Sequence, residues 1–214
     1  MRYLVISDLH LGDGTKSDDF LYKTNKKIKD AETKLISWIL KQNADVILLN
    51  GDIFEIWQHS MRKIRKEHIK LFTAIEKVPY EYIIGNHDYR LFGKMNYTFE
   101  MADGRKVIVT HGFQNDKKMT NPMARFGVWC LGWVEKIIPN IESFGNFTDS
   151  AILKNTTKYA FTLFKTFDVV VLGHTHELFL TTDKGKTYAN CGTCQHGKTE
   201  GIIIDTKNNK IEKV

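Results

Sequence analysis

Five short apolar runs in this chain each lead directly into a loop of metal-type side chains. Arg2 to Ile6 is followed by Ser7-Asp8-Leu9-His10, and Asp45 to Leu49 by Asn50-Gly51-Asp52. Tyr80 to Ile84 is followed by Gly85-Asn86-His87-Asp88, and Lys106 to Thr110 by His111-Gly112. Val169 to Leu172 is followed by Gly173-His174-Thr175-His176. Loops at one edge of the strands in an α/β sheet converge on one crevice. The pattern therefore demands a fold that gathers two aspartates, an asparagine and four histidines at one site. Gly51, Gly85, Gly112 and Gly173 stand beside them, where tight turns or close backbone approach are needed.

The intervening periodicity agrees. Ala31, Leu35, Trp38 and Ile39 recur at helical spacing within Ala31 to Leu40, with Asp30 as N-cap. Met61 to Lys77 reads as one charged amphipathic helix. The first 85 residues thus run strand, helix, strand, helix, strand, which implies an α/β sheet with right-handed crossovers. Asp103-Gly104 between Tyr97 to Ala102 and Lys106 to Thr110 is a hairpin signal. From Gln114 to Phe167 strand character is scarce. Phe126, Trp129, Cys130, Trp133, Val134, Ile137 and Ile138 recur there at helical spacing before Pro139, and a second helix spans about Asp149 to Phe164. The tail alternates strands and turns: Leu178 to Thr182, Thr187 to Asn190, Gly201 to Ile204 and Ile211 to Val214. The expected fold is α/β, with two sheets packed together and helices outside. A single domain over 1–214 carries a helical insertion at about 114–167.

Imidazole with carboxylate suits zinc, iron or manganese, whereas an all-oxygen set would suit calcium or magnesium. Seven donors are too many for one tetrahedral ion and suffice for two if a carboxylate bridges. Two ions about 3.5–4 Å apart clamp the attacking and leaving oxygens of a phosphoryl displacement and acidify a bound water. One such fragment alone means little; five at strand ends are hard to explain as packing.

Asp8-Leu9-His10, Gly51-Asp52, Gly85-Asn86-His87-Asp88, His111 and Gly173-His174-Thr175-His176 together resemble the signature of the calcineurin-like metallophosphoesterases. The resemblance runs from Ser7 to at least His176. It implies a four-layer αββα sandwich of two mixed β-sheets and a dinuclear site. By motif position, Asp8, His10, Asp52 and His176 would hold one ion; Asp52, Asn86, His111 and His174 would hold the other. The expected reaction is hydrolysis of a phosphodiester or diphosphate bond by in-line attack of a hydroxide bridging two divalent transition ions, manganese first, with iron or zinc as alternatives. His87 is the expected general acid, because imidazole titrates near neutral pH. Glu55 is expected to orient it and raise its pKa. Asp88 either supports a ligand or caps the next segment.

Gly51-Asp52-Ile53-Phe54-Glu55-Ile56-Trp57 and Ser7 to Gly12 are similar to the corresponding stretches of the UDP-2,3-diacylglucosamine diphosphatases, which carry a helical acyl-binding insertion. Many of those enzymes have arginine after the ligand asparagine; here it is His87, as in the broader family. The helical stretch from Phe126 to Ile138 reads either as the buried face of a cap helix or as an acyl-lining or membrane-contacting face. Arg90, Arg62, Lys117 and His196 are the expected substrate contacts; His59, His68 and His196 are expected at the surface. The substrate is then a phosphorylated small molecule or nucleotide lipid. A nuclease or a general or cyclic-nucleotide phosphodiesterase is the alternative enzyme. A non-catalytic scaffold of the same fold is the alternative from another class, disfavoured because no ligand is missing.

The 31 basic and 25 acidic residues, net +6, fit an anionic partner, nucleic acid or an acidic lipid surface included. Three cysteines, Cys130, Cys191 and Cys194, fit a reducing cytosol rather than a secreted disulfide framework; Cys191 and Cys194 lack the context of a zinc or redox site. No run approaches a membrane span, and Met1 to Ile6 is too short for a signal peptide core. The expectation is a cytoplasmic protein, with peripheral contact at the inner membrane open, and the oligomeric state open too.

Overall fold

The structure, a computed structural model, describes residues 1–115 and 145–214. Its elements are β1 (Arg2–Ile6), β2 (Tyr22–Lys23), β3 (Lys26–Lys27), α1 (Ala31–Lys41), β4 (Val46–Asn50), α2 (Met61–Glu67), α3 (Ile69–Ile75) and β5 (Tyr80–Ile83). They continue as β6 (Tyr97–Glu100), β7 (Lys106–Val109), α4 (Gly145–Leu163), β8 (Val169–Leu172), β9 (Leu178–Asp183), β10 (Lys186–Cys191), β11 (Ile202–Asp205) and β12 (Lys210–Lys213). One sheet has the order β12-β11-β1-β4-β5 and the other β6-β7-β8-β10-β9. Strands β1, β4 and β5 are mutually parallel, as are β7, β8 and β10, with antiparallel strands at the margins of each sheet.

Strand periodicity sorts side chains into layers. Tyr3, Val5, Leu48, Ile202 and Ile204 face Val107, Val109, Val169 and Val171 between the sheets. Leu4, Ile6, Ile47, Leu49 and Ile203 point outward onto Leu35, Ile39, Ile64 and Leu71 of α1, α2 and α3. Ile108, Val170 and Leu172 meet Ala160, Tyr159 and Leu163 of α4. Strands buried on both faces read as unbroken apolar runs, which is why they were visible in the sequence. Each fully buried Leu or Ile contributes roughly 1.5–3 kcal/mol. The result is a four-layer αββα sandwich in which the C-terminal ends of the parallel strands open on one side.

Asp30 is the N-cap of α1, with φ of 58° and no side-chain hydrogen bond; its carbonyl accepts Lys34 N–H at 2.9 Å. Two local expectations are corrected. The single helix over Met61 to Lys77 is two, broken at His68. The cause is tertiary: His68 is buried, with Nε2 3.0 Å from Asp18 Oδ2. His59 is buried too, with Nδ1 3.2 Å from Asp13 Oδ1. Both histidines tie down the loop after β1 and neither is at the surface. Of the 114–167 segment, α4 covers the second sheet, while residues 116–144 lie outside the described residues. So do the apolar stretch from Phe126 to Ile138, Lys117 and Cys130. No helix among the described residues is long and apolar enough to cross a membrane.

Candidate metal centre

All five loops meet. Asp8 Oδ1 lies 3.1 Å from His176 Nε2 and 3.8 Å from His10 Nε2. Asp52 Oδ2 lies 3.1 Å from His111 Nε2 and 3.9 Å from His10 Nε2, so one oxygen of Asp52 stands between the two halves of the cluster. Donor atoms of Asp8, His10 and His176 all fall within 4.8 Å of one another, as do those of Asp52, His111 and His174.

The donor set fits divalent ions. Asp8 Oδ1, His10 Nε2, Asn86 Oδ1, His111 Nε2 and His174 Nε2 are buried without a hydrogen-bond partner. A buried polar atom left unsatisfied costs about 1–3 kcal/mol, and five in one spot point to a cation as the missing partner. The opposite edges of two rings are already engaged. His10 Nδ1 is 3.0 Å from Glu55 Oε2, and His111 Nδ1 is 2.8 Å from the Asn50 carbonyl oxygen. Such partners fix the tautomer and present Nε2 to a metal.

Backbone strain concentrates here. Asp8, His10, Asp52, His174 and His176 all have φ between 49° and 70°, a region that costs a non-glycine residue about 1–3 kcal/mol. Contacts hold them there. Asp8 N–H donates to the Gly51 carbonyl at 3.1 Å, and the Asp8 carbonyl accepts from Thr193 Oγ1 at 2.8 Å and Cys194 N–H at 3.2 Å. Asp8 Oδ2 accepts from His174 N–H at 3.0 Å. Gly85 lies so close to Asp52 Oδ1 and N that no Cβ fits.

The carboxylates dominate the local field. Burial alone would raise both aspartates, but His176 and His111 hold Asp8 well below the usual range, and His111 and His87 do the same for Asp52. Burial pushes His111 down, yet Asp52 and Asp8 outweigh it and lift it to about 9. His174, buried and facing His111, falls to about 4. The two ionised aspartates at the centre of the pocket favour a cation there, while His174 is held neutral, the form in which imidazole binds a metal.

Beside the ligands, Glu55 Oε2 serves two rings: His87 Nδ1 at 2.7 Å and His10 Nδ1 at 3.0 Å. Burial would raise Glu55, but His87 and the hydrogen bonds from both imidazoles hold it at about 2. His87, pushed down by burial, is pulled up further by Glu55 and Asp52 and ends raised. The ring of Trp57 stacks on His87 at 4.5 Å and 13°. Asp88 faces the backbone: it accepts Gly85 N–H at 2.6 Å, Ile53 N–H at 2.8 Å and Phe54 N–H at 3.4 Å. It thus ties the Asp52 loop to the Asn86 loop.

The sequence pattern of the family described as calcineurin-like phosphoesterase matches residues 1–178. The chain belongs to that family. Among solved structures, it is similar to a dimetal phosphatase from Danio rerio, at 9% identity and TM-score 0.57 over 100% of this chain and 95% of the other. It is also similar to an archaeal phosphodiesterase, at 17% identity and TM-score 0.51 over 100% and 99%. A third is a single mutant of Vps29 from Entamoeba histolytica, at 13% identity and TM-score 0.53 over 100% and 98%. At these identities the likeness is one of fold. No curated protein matches.

Of the seven expected ligands, Asp8, His10, Asp52, His111, His174 and His176 come together; Asn86 Oδ1 is buried beside His87, whose N–H donates to Asp52 Oδ1 at 2.8 Å, and Glu55 and His87 adjoin the cluster. Arg62 and Arg90 are exposed, and neither pairs with a candidate ligand among the described residues; Arg90 Nε donates to its neighbour Tyr89 Oη at 3.1 Å. His196 is half-buried, with Nδ1 2.7 Å from the Tyr22 carbonyl oxygen. Cys191 and Cys194 are buried free thiols, raised by burial, Cys194 to about 12, which leaves them inert rather than reactive. Three features lay beyond the sequence reading: the sharing of Glu55 by His10, the stack of Trp57 on His87, and the grip of Thr193 on Asp8. For the second of these, the position of Trp57 two residues after Glu55 offered a signal.

Proposed function

We propose that the chain is a dinuclear metal-dependent hydrolase of phosphodiester or diphosphate bonds. The observation that carries this reading is the placement of Asp52 Oδ2 between two clusters of inward-facing, unpartnered donors. Asp8, His10, Asp52 and His176 would hold one ion, and Asp52, Asn86, His111 and His174 the other, manganese being the first choice. Bound there, the ions supply charge neutralisation for the phosphoryl oxygens and an acidified water.

The chain's own groups do the rest. Glu55 accepts Nδ1–H of His87, which leaves the Nε2 proton of the imidazolium for the leaving oxygen. Trp57 covers one face of that ring and restricts its rotation. Asp88 holds the Asp52 and Asn86 loops together and is a support for the site rather than a proton donor. His196, a half-buried imidazole beside the Tyr22 carbonyl, would be a further substrate contact. The similarity over Gly51 to Trp57 makes UDP-2,3-diacylglucosamine the first diphosphate to try; nucleic acid and cyclic nucleotides are the rival substrates.

Manganese-loaded protein assayed against the UDP lipid, cyclic nucleotides and single-stranded DNA is the test. Turnover of at least one, abolished by Asp52→Asn and strongly reduced by His87→Ala, is the expected result. Normal folding and metal loading with no hydrolysis of any phosphoester would overturn the reading in favour of a scaffold.

A further inference from the structure

The loop after β1 carries a small hairpin, β2–β3, whose composition its own stability does not explain. Thr24 and Asn25 form its turn with φ of 48° and 62°, the left-handed pair of a tight two-residue connection. The register sets Lys23 directly opposite Lys26, and Tyr22 opposite Lys27. Like charges directly opposed across a strand pair are destabilising. Lys27 Nζ sits 5.9 Å above the Tyr22 ring. Lys16, Lys23, Lys26, Lys27 and Lys29 are all exposed, and none takes part in an ion pair among the described residues. Over 16–29 the only acidic residues are Asp18, buried against His68, and Asp19. Five lysines therefore project from a segment in which the Lys27–Tyr22 ring contact is the one internal use of their charge among the described residues.

The hairpin is tied to the metal centre by short links. Ile28 N–H donates to the Leu21 carbonyl at 2.7 Å and closes its base. His196 reaches it twice, through Nδ1 at 2.7 Å from the Tyr22 carbonyl oxygen and through N–H to the Asp19 carbonyl at 3.0 Å. Three residues before His196, Thr193 donates to the carbonyl of Asp8 at 2.8 Å. One short run of chain, from Thr193 to His196, thus joins the hairpin to a candidate ligand.

Resting on the phosphoester-hydrolase reading above, we infer that the β2–β3 hairpin is a docking arm for the phosphate backbone of a nucleic acid strand whose scissile linkage lies at the metals. A polyanion spaced along successive phosphates relieves the Lys23–Lys26 opposition and engages several lysines at once. A small phosphoester held at the metals engages none of them. The arm confers affinity without sequence preference, since phosphate contacts carry none.

The test compares Lys23→Gln/Lys26→Gln/Lys27→Gln with a control of equal charge change on exposed lysines elsewhere, Lys184→Gln/Lys207→Gln/Lys213→Gln. The probe is a labelled oligothymidylate with hydrolysis-resistant phosphorothioate linkages, titrated against metal-loaded protein over a range of salt. Each lost phosphate contact lowers the salt slope by about 0.7 for a single strand. The hairpin variant is expected to lose about 2 in slope and roughly tenfold to a hundredfold in affinity, and the control to change little. Turnover of bis(p-nitrophenyl) phosphate should stay within about twofold in both. Equal losses in the two variants, no binding by the unaltered protein, or lysine-dependent binding to phosphatidylglycerol vesicles in place of the oligonucleotide would overturn the inference. Failure of the unaltered protein to hydrolyse any phosphoester would instead strike the hydrolase reading, and the binding titration would still report on the arm.

Discussion

Glu55→Gln keeps the volume and one acceptor oxygen of the side chain but removes its charge. His87 Nδ1 lies 2.7 Å from Glu55 Oε2, and the carboxylate is the strongest of the charges that raise His87. A hydrogen bond to a charged group contributes about 1.5–3 kcal/mol, and one pKa unit corresponds to about 1.36 kcal/mol. Loss of the charge should therefore lower the pKa of His87. The sign follows from the role. A general acid works only while protonated, so activity declines as pH rises through its pKa. The alkaline limb of the pH–rate profile should move to lower pH in the variant. The assay is kcat against pH with an alkyl phosphodiester, whose poor leaving group needs the proton, beside a p-nitrophenyl diester, whose leaving group does not. The alkyl substrate should lose roughly tenfold to a hundredfold in kcat at the alkaline end, the fold-change equivalent to that energy, and the p-nitrophenyl substrate much less. An unmoved limb, or equal losses on both substrates, would refute the pairing of Glu55 with His87 as the acid.

Gly85→Ala would place a Cβ against Asp52 Oδ1 and N; the variant should fold yet bind metal weakly, read by elemental analysis after dialysis. Thr193→Val removes the hydroxyl that holds the Asp8 carbonyl at 2.8 Å and should lower stability by about 1–3 kcal/mol in denaturant titration. Thr193→Ser should recover most of the loss. Chelation should lower the melting temperature of the loaded protein, because ions that bind only the folded state stabilise it by mass action. An unchanged melting temperature would count against tight binding. In the ion-free protein, Glu55 is held at about 2. Its contribution to stability should be present above about pH 4.5, near its unfolded value, and be lost as pH falls through about 2. Glu55→Gln should flatten that part of the acid-denaturation curve.

The site was legible because its carriers are local. Asp8, Asp52, His111 and His174 each follow a strand that is largely buried on both faces, and such strands announce themselves as apolar runs; Asn86 follows the edge strand β5, which is only partly buried. Parallel neighbours then bring the loops together without further information. What escaped depends on distant partners. The break at His68 arises from Asp18, fifty positions earlier, while the local pattern through Ile64, Leu71 and Ile75 continues helically across it. Strands β2 and β3 are two residues each, too short for any period to register. The burial of His59 follows from Asp13 and Ser17, and an isolated histidine beside charged residues reads as exposed. The left-handed backbone of Asp8, His10 and Asp52 has no sequence mark, because residues with side chains adopt it only when the surrounding fold compels it.

The number of metal ions bound per chain, measured together with turnover, tests the central claim most directly. Protein loaded with manganese, dialysed and analysed by inductively coupled plasma mass spectrometry should carry about two ions per chain, and Asp52→Asn should lose ions and phosphodiester turnover together. Full turnover in protein that holds no transition ion, or an Asp52→Asn variant as active as the parent, would contradict it.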